Sequence, residues 1–388
     1  MSPRIRRLGL VGVSAVLLAA CADEEQDIFT PEGRYAREIN DLQVPIFIAG
    51  GVVGVLVALA LAVVIVKGRR RSRDDEADPV QLEGNFKLEI AWTIAPAVLL
   101  AVISVFTVAT LFTLDDKPAG ANQLDGLEIT VYGQQWWWSY EYDLDPAADD
   151  GPEIITANDL VIPAGVPITL HMTSRDVIHS FWIPALNGTR DVVPGRMHSI
   201  LIEADEPGIF VGQCKEFCGL SHANMGARAV SLSMPEFETW LEQQQQTQPM
   251  LAEGDPGFEG QQIFLSRCSS CHQVTGLEVN GEPLVVEGNA ALVARHAPNL
   301  THLMSRGVFA GAMFDLYDPA TGEFNRNQLE AWLRNPPAEK PMYATPPEGQ
   351  LPRGMPDLGL TEEEIDQLVE YLQTLGPQPP LPTSEAQN

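Results

Sequence analysis

Three long uncharged apolar runs crowd the first third of the chain, and nothing comparable recurs after them. Leu8 to Ala20 covers 13 residues, while Val44 to Val66 and Ile90 to Leu114 hold no charged side chain over 23 and 25 positions. As helices the two longer runs each cross the ~30 Å of a bilayer's hydrocarbon, and the first is too short to do so. From Leu127 to about Leu241 the pattern changes to short alternating or β-branched runs: Leu127 to Tyr132, Leu160 to Ile162, Ile168 to Met172, Ser199 to Ile202 and Ala229 to Leu232. Between them stand Pro163-Ala164-Gly165, Pro194-Gly195 and Pro207-Gly208, so this part reads as an all-β sandwich or barrel. Beyond residue 252 the periodicity is helical, with a Gly257-Phe258-Gly260-Phe264 pattern and an amphipathic stretch from Glu362 to Leu375.

Charge sharpens these divisions. The 388 residues carry a formal net charge of −28, which argues against a nucleic-acid backbone as partner. Residues 1–114 hold 11 basic and 13 acidic side chains, so nearly all the excess lies beyond them, in an acidic body suited to basic partners or simply well solvated. Arg4, Arg6 and Arg7 before the first apolar run have the order of a bacterial export signal. Leu18-Ala19-Ala20-Cys21 resembles a lipobox, in which Cys21 is lipid-modified; a plain signal peptide is the alternative. Lys67, Arg69, Arg70, Arg71, Arg73 and Lys87 place the connection between the two longer runs in the cytoplasm. Everything after Asp115 then lies on the outer face of a bacterial plasma membrane.

Every cysteine sits in a motif. Cys214-Lys-Glu-Phe-Cys218-Gly-Leu-Ser-His222-Ala-Asn-Met225 gathers two thiols, an imidazole and a thioether, a soft donor set that favours copper over oxygen-loving cations. A single blue copper needs one Cys and structural zinc rarely recruits Met, so the set points to two coppers bridged by both thiolates, with a disulfide or a redox pair as the alternative. A second imidazole is needed. His179 suits best, because it lies in a turn-like break between strand patterns, whereas His171 and His198 read as structural.

These residues closely resemble the copper-A domain of cytochrome c oxidase subunit II. The resemblance covers about residues 35–241: the hairpin, Gly133-Gln-Gln-Trp-Trp-Trp-Ser-Tyr-Glu-Tyr142, the His179 loop, Pro194-Gly195-Arg196 and the Cys-to-Met run. It implies a cupredoxin-like Greek-key barrel with His179, Cys214, Cys218, His222, Met225 and the Glu216 carbonyl as ligands of a dinuclear copper centre. It further implies that the Glu216 side chain reaches a magnesium ion shared with subunit I. Trp136 becomes the residue at which electrons enter, and Glu89 the carboxylate at the mouth of a proton channel. The chain departs from the family pattern at Gln134, where relatives carry His, and at Trp137, where they often carry Tyr.

Past the polar tract Gln243 to Gln246, Cys268-Ser-Ser-Cys271-His272 is the attachment pattern of a c-type haem, with two thioether links and His272 on the iron. Met355, in Arg353-Gly-Met-Pro356 before the last helix, is expected as the sixth ligand; Met342 is its main rival, ahead of Met304, Met313, His296 and His302. Ala297-Pro298-Asn299-Leu300 resembles the cytochrome c loop whose Pro carbonyl orients the proximal His. The stretches from Pro336 to Pro352 and from Pro377 onward are expected to lack regular structure and are assigned no chemistry.

The expected organisation is therefore multidomain: an export signal (1–21), an N-terminal segment and transmembrane hairpin (22–114, spans 44–66 and 90–114), an all-β cupredoxin domain (115–241), a linker (242–251), an all-α class I cytochrome c domain (252–376) and a tail (377–388). All seven His follow residue 170, so neither span can ligate a metal within the bilayer. The reading is an electron-input subunit whose haem is reduced by a cytochrome c or a cytochrome c reductase complex; the resemblance implies that its partner is a haem-copper subunit I that reduces dioxygen and pumps protons. Input to a copper-A nitric oxide reductase is the runner-up. A membrane-anchored copper carrier or redox sensor is the reading from another class, and a quinol-oxidising subunit would have no need of copper ligands.

Overall fold

The computed structural model describes residues 26–68, 83–115, 127–145, 153–279, 281–283, 297–343 and 353–379. The export signal with Cys21, the cationic connection from Arg69 to Arg73, His296 and the tail from residue 380 lie outside the described residues.

Two long helices come first, α1 (Arg34–Gly68) and α2 (Phe86–Leu114), and the two uncharged runs fall inside them. Phe47, Leu56, Val66, Phe106 and Phe112 face outward, which suits a lipid-covered surface. Asn85 caps α2 by accepting from the Lys87 and Leu88 amides at 3.1 and 3.2 Å, and Glu89 stands exposed in the first turn. The segment before α1 is strapped to the β domain. Glu32 N donates to Ala185 O at 2.8 Å, Asp205 N donates to Glu32 O at 2.9 Å, and Arg37 pairs with Asp205. Gly33 makes this possible, since a Cβ there would lie 1.9 Å from the Glu203 carbonyl oxygen.

Ten strands follow: β1 (Glu128–Gln134), β2 (Trp137–Asp143), β3 (Ile154–Ala157), β4 (Asp159–Pro163), β5 (Ile168–Ser174), β6 (His179–Phe181), β7 (Arg190–Val192), β8 (His198–Ile202), β9 (Gly208–Gln213) and β10 (Gly226–Leu232). They form a five-stranded sheet in the order β3-β2-β1-β5-β8, a three-stranded sheet β4-β10-β9 and a small ladder β6-β7. The pairs β1–β5 and β4–β10 are parallel, the rest antiparallel, as a cupredoxin-like sandwich requires. Trp138, Tyr140, Leu160, Ile162, Leu170, Met172 and Ala229 fill the space between the sheets. Tyr142 stitches them together: its hydroxyl donates to Val161 O and accepts from Val161 N, both at 2.8 Å. The sequence pattern located five of these strands; the short β3, β6 and β7 carry too few residues to show a period.

After α3 (Met234–Gln244), the helical domain contains α4 (Phe258–Arg267), α5 (Arg326–Arg334), the single turn α6 (Pro336–Glu339) and α7 (Glu362–Leu372), with two-residue strand pairs at Glu278–Val279/Glu282–Pro283 and Val308–Phe309/Phe314–Asp315. Its core unites Phe264, Leu303, Met304, Leu316, Leu329, Leu368 and Tyr371. Gly260 allows α4 to cross α7, because a Cβ would lie 1.9 Å from Gln367 O.

Two stretches expected as featureless are ordered. The polar tract begins inside α3, and the buried Gln244 donates to Ser305 Oγ of the helical domain at 2.8 Å. Part of the Pro-rich stretch is α6, whose first Pro needs no amide partner. It delivers Lys340 into the boundary between the two soluble domains. There Gly307 N donates to Asp159 Oδ2 at 2.7 Å, Gly311 N to Asn158 Oδ1 at 3.1 Å and Gly226 N to Gly311 O at 2.9 Å.

Candidate metal and haem centres

The Cys-to-Met run is the loop joining β9 to β10, and it closes on itself where Cys214 N donates to Met225 O at 2.9 Å. Gly219, at φ 113°, turns the chain in the left-handed region and His222 N then reaches Gly219 O at 3.1 Å. The result is a knot of soft donors. Cys214 Sγ and Cys218 Sγ lie 3.8 Å apart; His179 Nδ1 is 3.9 Å from Cys214 Sγ, His222 Nδ1 is 3.6 Å and Met225 Sδ 3.8 Å from Cys218 Sγ. The Glu216 carbonyl oxygen is 3.3 Å from Cys214 Sγ, and the Glu216 side chain faces solvent. His179, Cys214, Cys218 and Met225 are buried, and the donor atoms of the first three lie within 4.8 Å of one another.

Five residues of one loop and His179 from a distant strand thus converge. One local expectation changes: His179 does not sit in a break but opens strand β6, paired with Val192. That strand is only three residues long, so no alternation announced it. Gly133, opposite in β1, leaves room for the ring, since a Cβ would approach His179 Cδ2 to 2.8 Å.

Asp176 was not singled out by sequence. Its Oδ1 meets His179 Nε2 at 2.9 Å, and its carboxylate also accepts from Gln135 N at 2.8 Å and Val177 N at 2.7 Å. Burial alone would raise its pKa, but the hydrogen bonds from His179 and the two amides hold it below the usual carboxylate value. Burial likewise disfavours charged His179, yet the bonds to Asp176 and Cys214 raise it above the ordinary imidazole value. A hydrogen bond from the Cys218 thiol lowers Cys214, the thiolate of the pair, and pushes Cys218 up. A buried sulfur anion between an imidazole and a second thiol is a fitting bed for a soft cation.

Trp136 occupies the turn between β1 and β2 and is only 2 % exposed. Its indole Nε1 donates to Cys218 O at 3.1 Å, beside Gln135 Nε2 on the same oxygen at 2.7 Å. Its ring lies 5.7 Å, centroid to centroid, from Tyr343 of the helical domain.

In that domain Cys268 caps α4 and the chain turns at once, with Cys271 N and His272 N both donating to Cys268 O, at 3.0 and 2.9 Å. His272 Nδ1 contacts Pro298 O at 2.8 Å, the orienting contact the loop motif leads one to expect. Burial, with nearby Arg306, lowers the imidazole pKa. Burial also pushes the Cys268 thiol up to about 11. Met355 packs on the helical core, whereas Met342 packs on the β-domain core. Arg306, missed by sequence reading, is buried and donates through Nη2 to Asn299 O, while Nε and Nη1 have no partner among the described residues. A buried guanidinium with unpaired donors beside His272 fits a group that brings carboxylates, as the haem propionates do. Glu89 stands exposed in the first turn of α2, and Cys21 lies outside the described residues.

Fold and site together define a hairpin-anchored cupredoxin with a thiolate-rich metal site, joined to a cytochrome c domain. The family descriptions that match agree: cytochrome c oxidase subunit II transmembrane domain over residues 26–110, its periplasmic domain over 127–231, and cytochrome c over 258–376. The cytochrome c oxidase subunit 2 of Alkalihalophilus pseudofirmus is 33% identical over 368 residues, covering 93% of this chain and 94% of the relative. That of Bacillus subtilis is 31% identical over 381 residues, covering 95% and 97%. A solved periplasmic domain of subunit II of cytochrome oxidase from Bradyrhizobium japonicum is 32% identical, covering 30% of this chain and 92% of that one, with a TM-score of 0.28. The chain belongs to the cytochrome c oxidase subunit II family. It is the electron-transfer subunit of an oxidoreductase, with a copper-A-type periplasmic domain and a cytochrome c domain, and its partner is subunit I.

Proposed function

We propose that this subunit relays electrons from a cytochrome c or a cytochrome c reductase complex, by way of its own haem c and dinuclear copper centre, to subunit I, where dioxygen is reduced to water with proton pumping. Haem and copper supply the one-electron carriers. The chain supplies their beds: Cys268 and Cys271 for two thioether links, His272 and Met355 for the iron, and His179, Cys214, the Glu216 carbonyl, Cys218, His222 and Met225 for copper. Packing of Met355 on the helical core supports it over Met342 as sixth ligand. The exposed Glu216 side chain is the candidate for magnesium shared with subunit I, and Glu89 for the mouth of a proton channel. Cys21 anchors the mature chain through lipid, and both soluble domains face the outside of the bacterial plasma membrane.

The observation that carries this reading is the position of Trp136. Its indole donates to the Cys218 carbonyl, and the helical domain covers it through Tyr343 and Lys340. An external protein has no access to that indole, so electrons reach it from the subunit's own haem domain. Low-temperature EPR of the oxidised oxidase complex is the test. A hyperfine pattern from two equivalent coppers supports the relay; a single-copper pattern, or silence with both Cys oxidised, shifts the reading to a copper carrier or sensor.

A further inference from the structure

Lys340 is 2 % exposed, and its Nζ donates to two main-chain oxygens, Trp136 O at 2.8 Å and Ala310 O at 2.7 Å. One belongs to the copper domain and the other to the haem domain. Neither acceptor carries a charge, and a buried amine held by carbonyls alone is a costly arrangement. Burial accordingly pushes its pKa down to about 7, against a small opposing pull from Cys218. The surrounding chain is shaped to admit it. Gly311, at φ 76°, passes so close that a Cβ would lie 2.3 Å from Trp136 O and 2.6 Å from Lys340 Nζ. On the next residue, Pro341 O accepts from Ser221 Oγ, in the copper loop, at 2.5 Å.

These contacts join end to end. Ala310 lies against the haem-domain core. Its carbonyl shares the amine with the Trp136 carbonyl, and the Trp136 indole donates to Cys218 O. Resting on the relay reading above, we infer that Lys340 is a positioning residue for electron transfer between the two domains: its amine keys the haem-domain loop 307–312 to Trp136, and its charge acts toward the Cys218 sulfur, a thiolate once copper is bound. One electron crosses this contact, and no bond forms or breaks. Because tunnelling falls steeply with the gap between carriers, loosening the key slows that step and spares the later ones. Because the amine acts electrostatically on Cys218, removing it also stabilises the oxidised copper centre and lowers its midpoint potential.

The test uses the purified oxidase complex of the parent, K340M and G311A, with haem c reduced by a flash-activated photoreductant and its reoxidation followed optically as copper is reduced. K340M is expected to slow this step at least tenfold, to leave the onward step from copper unchanged, and to lower the copper midpoint potential at pH 6, where the amine holds its proton. G311A, whose methyl group crowds both the amine and the Trp136 carbonyl, is expected to slow the same step. Transfer within twofold of the parent in K340M, with an unshifted potential, overturns the inference and leaves the relay intact. If K340M does not assemble, unaltered transfer in G311A overturns it instead. Absence of haem-to-copper transfer in the parent overturns the relay reading itself, and this inference with it.

Discussion

Asp176 Oδ1 lies 2.9 Å from His179 Nε2, so the imidazole turns its other nitrogen, Nδ1, toward Cys214 Sγ at 3.9 Å. A carboxylate behind a ligating His fixes the tautomer and the ring orientation and strengthens the donor. Asp176 is itself fixed by the amides of Gln135 and Val177. Asp176→Asn keeps the shape and removes the charge. It is expected to weaken copper retention roughly 10- to 100-fold, the range usual for such outer partners. Competition with a copper chelator measures this, and retention equal to the parent's would show that the carboxylate merely supports the loop.

Met355 and Met342 divide between the two cores, one on each side of the domain boundary. Met355→Ala is therefore expected to abolish the thioether-to-iron absorption band of the oxidised haem, while Met342→Ala retains it. Gly354, the neighbour of Met355 in the chain, packs on Met342, since a Cβ there would meet Met342 Sδ, so an alanine at 354 displaces Met342. Loss of the band in Met342→Ala alone would reverse the assignment.

What the sequence revealed and what it concealed follow from the physics of each residue. Cys214, Cys218, His222 and Met225 fall within one loop, so residue type and spacing expose a soft-metal site before any fold is known. His179 could be chosen among the three β-domain imidazoles other than His222, but not for the right local reason, because a three-residue strand has no measurable period. Asp176 was silent, since an acidic residue in a turn is commonplace and its role depends on the ring three positions later. Lys340 was harder still. Its partner carbonyl in Trp136 is 204 positions away, main-chain oxygens leave no trace in residue identity, and the Pro-rich surroundings suggested irregular chain. Gln244 teaches the same lesson: a glutamine run looks like linker until one member finds Ser305 across a domain boundary.

The same Lys340 makes domain docking depend on pH, with a sign set by burial. Its pKa falls from 10.5 to about 7 when docked. Below about 7 the amine is protonated in both docked and undocked states, and docking carries the full cost of burying the cation. Between about 7 and 10.5 docking releases a proton, so it tightens by up to ~1.4 kcal/mol per pH unit. Hydrogen exchange of residues 307–312, corrected for the intrinsic chemical rate, is expected to show protection rising between pH 7 and 9 by up to about tenfold per unit. K340M should lack that slope. An equal slope in both proteins would assign the effect to another group.

Gly307 offers a way to part the domains without touching Lys340 or either metal bed. Arg228, on β10, holds Asp159 through two bonds of 2.7 and 2.9 Å, and the free edge of that carboxylate receives Gly307 N at 2.7 Å. A Cβ on residue 307 would lie 1.8 Å from Arg228 Nη2. The guanidinium cannot easily yield, because moving it breaks a largely buried bidentate pair and leaves Asp159 with a single partner. Gly307→Ala therefore lifts the haem-domain loop away. The Gly311 and Gly226 amides, both bonded across the boundary, are expected to lose exchange protection, while strands β1, β2 and β5 keep theirs. Haem-to-copper transfer should slow in parallel. Unchanged protection at both amides would mean that the boundary absorbs a methyl group, and that Asp159 and Gly307 do not hold the two domains together.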